Sequence, residues 1–289
     1  EGENCILSYR DKIAGKLKDA DMVIVVAGMG GGIGGGGAPV VAEIAAEAGA
    51  LVMALATEPF DLEGRKEASR LSIERLCQAS DTVMIIPNQG IMEQMEAGCS
   101  VQECMEVANG RALEALMCLG RLVRSDGLLN IDFSHIRNLI QAHHGESRLI
   151  TVEVTGDNRP KTAMDALLKH PFLGLGSDLY KTKGVIVSIS GSQSLTMDEI
   201  DAFVERLKAT VPDARLTIGV HLEELEGNVL SVMLLFPCSV IQKVDGTDHM
   251  PLVAINRLND IMSKVPKEGV QQQLPLVPVS KGRFDKGSP

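Results

Sequence analysis

Over the first ninety residues, short apolar runs alternate with longer segments of helical period. Met22–Ala27, Leu51–Thr57 and Thr82–Ile86 are nearly unbroken apolar runs of strand length, the pattern of strands buried on both faces. Pro39–Gly49 is rich in Ala and Glu and predicts a helix with Pro39 in its first turn and Gly49 at its end. Glu67–Gln78 predicts a second helix, and residues 5–19, with apolar positions 6, 13 and 17 among charges, a third. PNQG at 87–90 predicts a turn. This alternation is that of an α/β protein with a parallel, Rossmann-like sheet, whose ligand sites lie beyond the carboxyl ends of its strands. A glycine-rich segment and the loops at 57–64 and 87–90 all fall there.

Val101–Val123 reads as one long central helix, a spine between halves, broken at Ser125-Asp126-Gly127. Beyond residue 145 the rhythm changes. Strands are expected at Leu149–Val154, Gly184–Ser190, Arg215–His221 and Val229–Phe236, and helices at Arg159–His170 and Thr196–Thr210, the latter opened by the capping pattern T-M-D-E. The expected organisation is a nucleotide-binding domain over 1–124 that includes the central helix, a loop and connecting helix over 125–146, an α+β domain of four strands and two helices over 147–240, and a tail or linker over 241–289 with a short helix at 251–264. The chain begins at Glu1 rather than Met, which reads as a fragment.

Composition narrows the function classes. A net charge of −10 with 3% aromatic residues argues against a nucleic-acid-binding surface. No run reaches the ~20 apolar residues of a membrane span, and no basic-then-apolar leader is present, so a cytoplasmic protein without membrane insertion is expected. The six cysteines form no close CxxC pair and read as reduced, mostly buried thiols. Cys99 and Cys104 are the nearest pair, His143-His144 reads as a solvated surface pair, and no metal site is expected.

The segment AGMGGGIGGGG, Ala27–Gly37, holds eight glycines in eleven residues between a strand and a helix. Backbone N–H groups at a helix N-terminus attract anions, and glycines let phosphate oxygens approach. Gly30, Gly32 and Gly35 satisfy G-x-G-x-x-G, and Glu58 stands at the end of the next strand where a ribose acid of a dinucleotide site belongs. No GK[ST] follows, which excludes a P-loop.

A second reading comes from several stretches taken together. AGMGGGIGGGGAP is similar to the signature loop AGMGGGTGTGAAP of the tubulin/FtsZ family. TEPFDLEG resembles that family's ribose-side loop TxPFxxEG, and IIPNQG its IPND. EVANG resembles the start of the central helix, GLLNIDFSHI resembles GLINxDFADV, and GDNRPKTAMDALLKHPFL resembles GxxRAxxAAxxAxxSPLL of the second domain. The resemblance spans residues 1 to 238 with the stretches in order.

It implies a filament-forming protein of bacterial-type cell division that binds GTP or GDP, with Mg2+ as accompanying ion, and acts in the cytoplasm at the division site. Its partners would be further copies, head to tail, and other division proteins. It further implies that Gly30, Gly31, Gly32, Ile33, Gly34, Gly35 and Gly36 cradle the phosphates, that Glu63 meets the ribose, and that Asn88 and Asn109 meet the base. Asn130, Asp132 and His135 would complete the catalytic site of the neighbouring copy. A further strand, a second glycine-rich loop and two other loops would precede residue 5.

The departures from the family pattern fall on chemical positions. Ile33 replaces the signature threonine and Gly35 the second hydroxyl. Gly110 replaces an acid beside Asn109, and His135 replaces a second aspartate. Glu67 stands where an arginine is expected, with Arg65 or Arg70 as substitutes. Two expectations follow: an assembling GTPase, or a divergent, non-hydrolysing relative acting as a structural or interaction protein.

Overall fold

The computed structural model describes residues 2–95, 98–123, 127–170, 173, 177–223 and 227–238. The expected tail at 241–289, with its helix at 251–264, and the break at Ser125-Asp126 lie outside them. Seven strands are hydrogen-bonded in one mixed sheet: β1 Met22–Gly28, β2 Leu51–Glu58, β3 Thr82–Pro87, β4 Gly145–Thr155, β5 Gly184–Gly191, β6 Arg215–Leu222 and β7 Val229–Pro237, in the order β1-β2-β3-β4-β7-β5-β6. The first three are parallel and in tight register, so that Gly28 lies beside Thr57 and Glu58 beside Pro87. β7 runs antiparallel between β4 and β5, and β5 and β6 are parallel.

The two halves meet where Thr82–Met84 of β3 pairs with Gly145–Ser147 of β4. Thr82 Oγ1 is buried there, 2.7 Å from Ser147 Oγ and 3.0 Å from the Gly145 carbonyl oxygen. β4 starts four residues earlier than the apolar run Leu149–Val154 suggests, because its first residues take their pairing from β3 rather than from a buried apolar face.

Two layers of helices cover the sheet's first half. Helix α3, Gly32–Glu47, and α4, Lys66–Ala79, shield Val25, Val52, Ala54 and Val83. On the opposite face the 22-residue α6, Val101–Leu122, and α7, Phe133–Gln141, pack Ala115, Cys118, Leu119, Ile136 and Ile140 into one core with Leu51, Met53 and Leu55. That core continues to Ile186, Met233 and Leu235 of β5 and β7, so the central helix spans both halves. In the second half, α8, Arg159–Leu168, and α10, Met197–Thr210, cover β4–β7 around Phe203 and Phe236. Thr196 caps α10 in a capping box with Glu199, as the T-M-D-E pattern predicts.

Several details differ from the sequence reading. The helix expected over 5–19 is two, α1 Gly2–Leu7 and α2 Arg10–Leu17. PNQG is not a turn: Pro87 ends β3, and Asn88–Met92 forms the short helix α5. A further short helix, α9, Ser177–Lys181, has too few residues to show a helical period. Of the cysteines only Cys104 and Cys118 are buried. Cys77, Cys99 and Cys238 are half-buried and Cys5 is exposed, and none forms a disulfide. β1 is an edge strand, and its Val26 is 49% exposed.

His170 follows α8. Burial, with Arg111 adding to it, pushes its pKa down to about 4. The native state therefore favours the neutral ring, and the unfolded chain binds the proton first as pH falls below 6.5. Stability from this group is present at neutral pH and is lost on acidification, by roughly 2 kcal/mol at about pH 5. Urea unfolding of His170→Gln against the parent should show that the variant loses less stability between neutral pH and about pH 5.

Candidate functional site

The carboxyl ends of β1, β2 and β3 lie side by side, and each opens into a segment singled out in the sequence. After β1 the chain turns at Gly30, whose φ of +84° is a left-handed conformation that suits glycine. Gly31 then serves as the N-cap of α3. Most of the glycine run is therefore helix, which corrects the reading of it as a loop that ends at Pro39. Pro39 sits inside α3, and its missing N–H leaves the carbonyl of Gly35 without its helical donor.

The glycines are needed for close packing on three sides. A Cβ on Gly34 would lie 2.0 Å from the Gly28 carbonyl oxygen, so the first turn of α3 presses directly on the end of β1. A Cβ on Gly35 would lie 2.5 Å from Ser72 Oγ, and one on Gly37 would lie 2.7 Å from Ile6 of α1. Gly2 of α1 approaches Gly32 as closely from the other side, with a Cβ there 1.8 Å from the Gly32 carbonyl oxygen. Gly31 and Gly32 are different. A Cβ on Gly32 would meet nothing within 4 Å, and the nearest group to one on Gly31 is Arg65 Nη1 at 3.8 Å. The open part of the cradle is thus the N-cap and first residue of α3, where amides without helical partners and the positive end of the helix dipole attract an anion. Ile33 stands beside it, 71% exposed.

The segment after β2 forms a 3-10 turn, Asp61–Glu63, closed by Gly64 in the left-handed conformation. The Glu63 carboxylate accepts from the Phe60 amide at 2.9 Å and pairs with Arg65, so it is held against its own loop. Arg65 is the cation brought to the cradle. Arg70, the other candidate, is paired with Glu67 and Glu74 on α4. Glu58, the acid of the dinucleotide reading, is held above the usual carboxylate range by burial.

After β3, Asn88 opens α5, and its Oδ1 is buried without a hydrogen-bond partner among the described residues. A buried acceptor in that condition is costly unless a ligand supplies a donor. Gln89 accepts from the Asp61 amide at 3.2 Å and ties this loop to the one after β2. Sequence reading missed this contact, because a lone glutamine carries no pattern. Asn109 and Gly110 lie on the exposed side of α6.

Asn130, Asp132 and His135 are placed elsewhere. Asn130 Oδ1 accepts from the Gly127 amide at 2.9 Å. Asp132 caps α7, accepting from the Ser134 amide at 2.7 Å; the hydrogen bonds from Ser134, with His135 nearby, hold its carboxyl below the usual range. All three residues are exposed. Their helix runs along the opposite edge of the sheet: Arg137 donates to the Asp21 carbonyl oxygen just before β1, and Gln141 reaches Asp81 just before β3. The body of α7 thus lies at the amino ends of β1 and β3, away from the glycine cradle, while the segment that leads into it lies beside β6, where Leu129 pairs with Val220. Among the described residues, no group of His, Cys, Asp and Glu is arranged to hold a metal ion.

The Tubulin/FtsZ family, GTPase domain, matches residues 1–96, and the FtsZ family, C-terminal domain, matches residues 145–237. A solved FtsZ mutant of M. jannaschii is 30% identical, with a TM-score of 0.77, over 86% of this chain and 74% of that one. The chain belongs to the tubulin/FtsZ family. Among curated relatives, Cell division protein FtsZ 2 of Rhizobium meliloti is 36% identical over 72% of this chain and 61% of its own length. Cell division protein FtsZ of Methanothermobacter thermautotrophicus is 33% identical over 79% of this chain and 60% of its own length. The chain thus spans about three fifths of the length of these relatives. Family membership replaces the dinucleotide alternative, and the α/β fold with a parallel core sheet agrees with the FtsZ structures.

The packing separates two kinds of glycine. Gly34→Ala should destabilise the chain by about 1–3 kcal/mol or prevent folding, since backbone must move to admit the methyl. Gly32→Ala should be neutral or stabilise by up to about 1 kcal/mol through helix propensity. Urea denaturation of both variants beside the parent checks the contrast.

Proposed function

We propose that this chain belongs to an FtsZ-type protein that binds a guanine nucleotide at the carboxyl edge of β1–β3 and assembles head to tail. The Asn130–His135 loop of each copy would then act on the nucleotide held by the next. The observation that supports this reading is that the cradle lies at the carboxyl ends of β1–β3 while α7, the helix capped by Asp132, packs at the amino ends of β1 and β3. Copies stacked along the strand direction would bring the α7 end of one toward the cradle of the next. The relatives' names as cell division proteins and a solved FtsZ dimer of M. jannaschii support the same reading.

In this reading the amides at Gly31–Gly34 and the Arg65 guanidinium face the phosphates, Gly30, Gly35 and Gly36 shape the cradle, and Ile33 lies beside it. Glu63 meets the ribose, and Asn88 Oδ1 accepts from the base, with Asn109 on the same side. Magnesium would be held by phosphate oxygens, since the protein offers no ligand cluster of its own among the described residues. Phosphoryl transfer asks for positioning and charge stabilisation. The Asp132 carboxylate, held ionised, orients a water, and His135 orders that water from the next turn. The protein would work in the cytoplasm at the division site. No described helix is long and apolar enough to cross a membrane.

A second reading is assembly without hydrolysis. It is favoured by His135 and Ile33, which replace an acid and a hydroxyl, and by Ser72, which fills the space a side chain at Gly35 would need.

Phosphate release and light scattering by the full-length protein across a concentration series distinguish the readings. Cooperative GTP turnover with scattering supports the first, and scattering alone supports the second. Absence of both, with no preference for GTP over ATP by titration calorimetry, removes both. Asp132→Asn keeps a good helix cap, so it should fold normally. It should lower turnover on the order of 100-fold while leaving GTP affinity unchanged. Arg65→Ala should instead weaken GTP binding, and a mixture of the two variants should regain part of the turnover each has lost.

A further inference from the structure

The chain approaches α6 through a capping box. Ser100 Oγ accepts from the Glu103 amide at 3.2 Å, and the Ser100 amide donates to Glu103 Oε2 at 2.7 Å. Such a cap fixes the direction from which the chain arrives, and sets the residue before the cap over the fourth residue of the helix. That pair is ordinarily an apolar staple. Here the two residues are Cys99 and Cys104. Their Sγ atoms lie 3.1 Å apart as free thiols, so about 1 Å of contraction would reach the length of a disulfide. Cys99 is half-buried and Cys104 buried, which makes Cys99 the sulfur a reagent reaches first. In the reduced pair the Cys104 thiol is held above its ordinary value by its hydrogen bond with Cys99 and by burial. Burial pushes Cys77 up to about 12 and Cys118 up to about 11, which makes both poor nucleophiles.

We propose that Cys99 and Cys104 form a reversible thiol–disulfide site whose substrate class is a low-molecular-weight disulfide of the glutathione type. Cys99 releases its proton to water, and its thiolate attacks one sulfur of the small disulfide. The S–S bond breaks, a mixed disulfide forms on Cys99, and one small thiolate leaves and takes up a proton. Cys104 then releases its proton and attacks the Cys99 sulfur, which expels the second small thiolate, and this is protonated in turn. Two protein thiols are oxidised, one small disulfide is reduced to two thiols, and protons balance. The new bond would fasten the approach to α6 between α5, which carries Asn88, and Asn109 on α6 itself. The proposal stands on the thiol geometry and is independent of nucleotide binding.

The test incubates the full chain with oxidised glutathione at mildly alkaline pH, alkylates remaining thiols, and digests after glutamate, which cuts the chain between the two cysteines at Glu103. The expected result is a disulfide joining the peptides of Cys99 and Cys104, an intact mass lower by two hydrogens, and full reversal by dithiothreitol. Cys99→Ser should abolish the linkage, and Cys104→Ser should leave glutathione on Cys99. The proposal is overturned if both cysteines remain alkylated after oxidation, if the parent keeps glutathione stably on Cys99, or if either sulfur pairs with another cysteine.

Discussion

The contact on which the carboxyl edge of the sheet depends is the approach of α3 to the end of β1. Gly34 rests against the Gly28 carbonyl oxygen so closely that a methyl group has no place between them. Because the helix starts immediately after the strand, its unpartnered amides face the crevice beyond β1–β3, where open parallel sheets place their ligands. The same approach crowds the faces toward Ser72 and α1, where an added methyl would meet the Ser72 hydroxyl and the Ile6 side chain. The glycine run thus joins two demands, packing on three sides and an open helix N-terminus on the fourth.

A second constraint joins the halves. β3 and β4 share three residue pairs, with Thr82 and Ser147 buried between them, and α6 and α7 lay one apolar core across both sides of that seam. α7 is held along the amino edge by Arg137 and Gln141 through polar contacts with the residues before β1 and β3. The exposed loop that leads into α7 is held from the other half of the sheet, where Leu129 and Val220 of β6 exchange backbone hydrogen bonds, so both halves fix its place.

The strands were legible because each is a short apolar run bounded by turn residues, and the long helices because their periods are sustained. The T-M-D-E cap was equally plain. What failed to show is instructive. Helix α3 begins seven residues before Pro39, since glycine and proline read as punctuation while tertiary packing forces the helix through them. The start of β4 was hidden because pairing, not burial, defines it. At the candidate site, Glu63, Asn88 and the cradle follow from the resemblance. The contacts that hold them (Arg65 on Glu63, Gln89 on the Asp61 amide, Ser134 on Asp132) join residues that no spacing rule connects.

The two substitutions at the cradle stand in different packing environments. With no side chain at Gly35, Ser72 occupies the space, its hydroxyl bonded to the Ala68 carbonyl oxygen at 2.8 Å. A hydroxyl-bearing residue at position 35 would have to displace Ser72 from that bond. Ile33, by contrast, points to no buried partner and is largely exposed, so nothing in the packing of this chain requires isoleucine there. The two positions differ in kind: one is coupled to α4 through packing, while the other is free to change without disturbing the fold. A change at position 33 therefore acts without repacking its surroundings, whereas one at position 35 also has to move the Ser72 hydroxyl from its bond to Ala68.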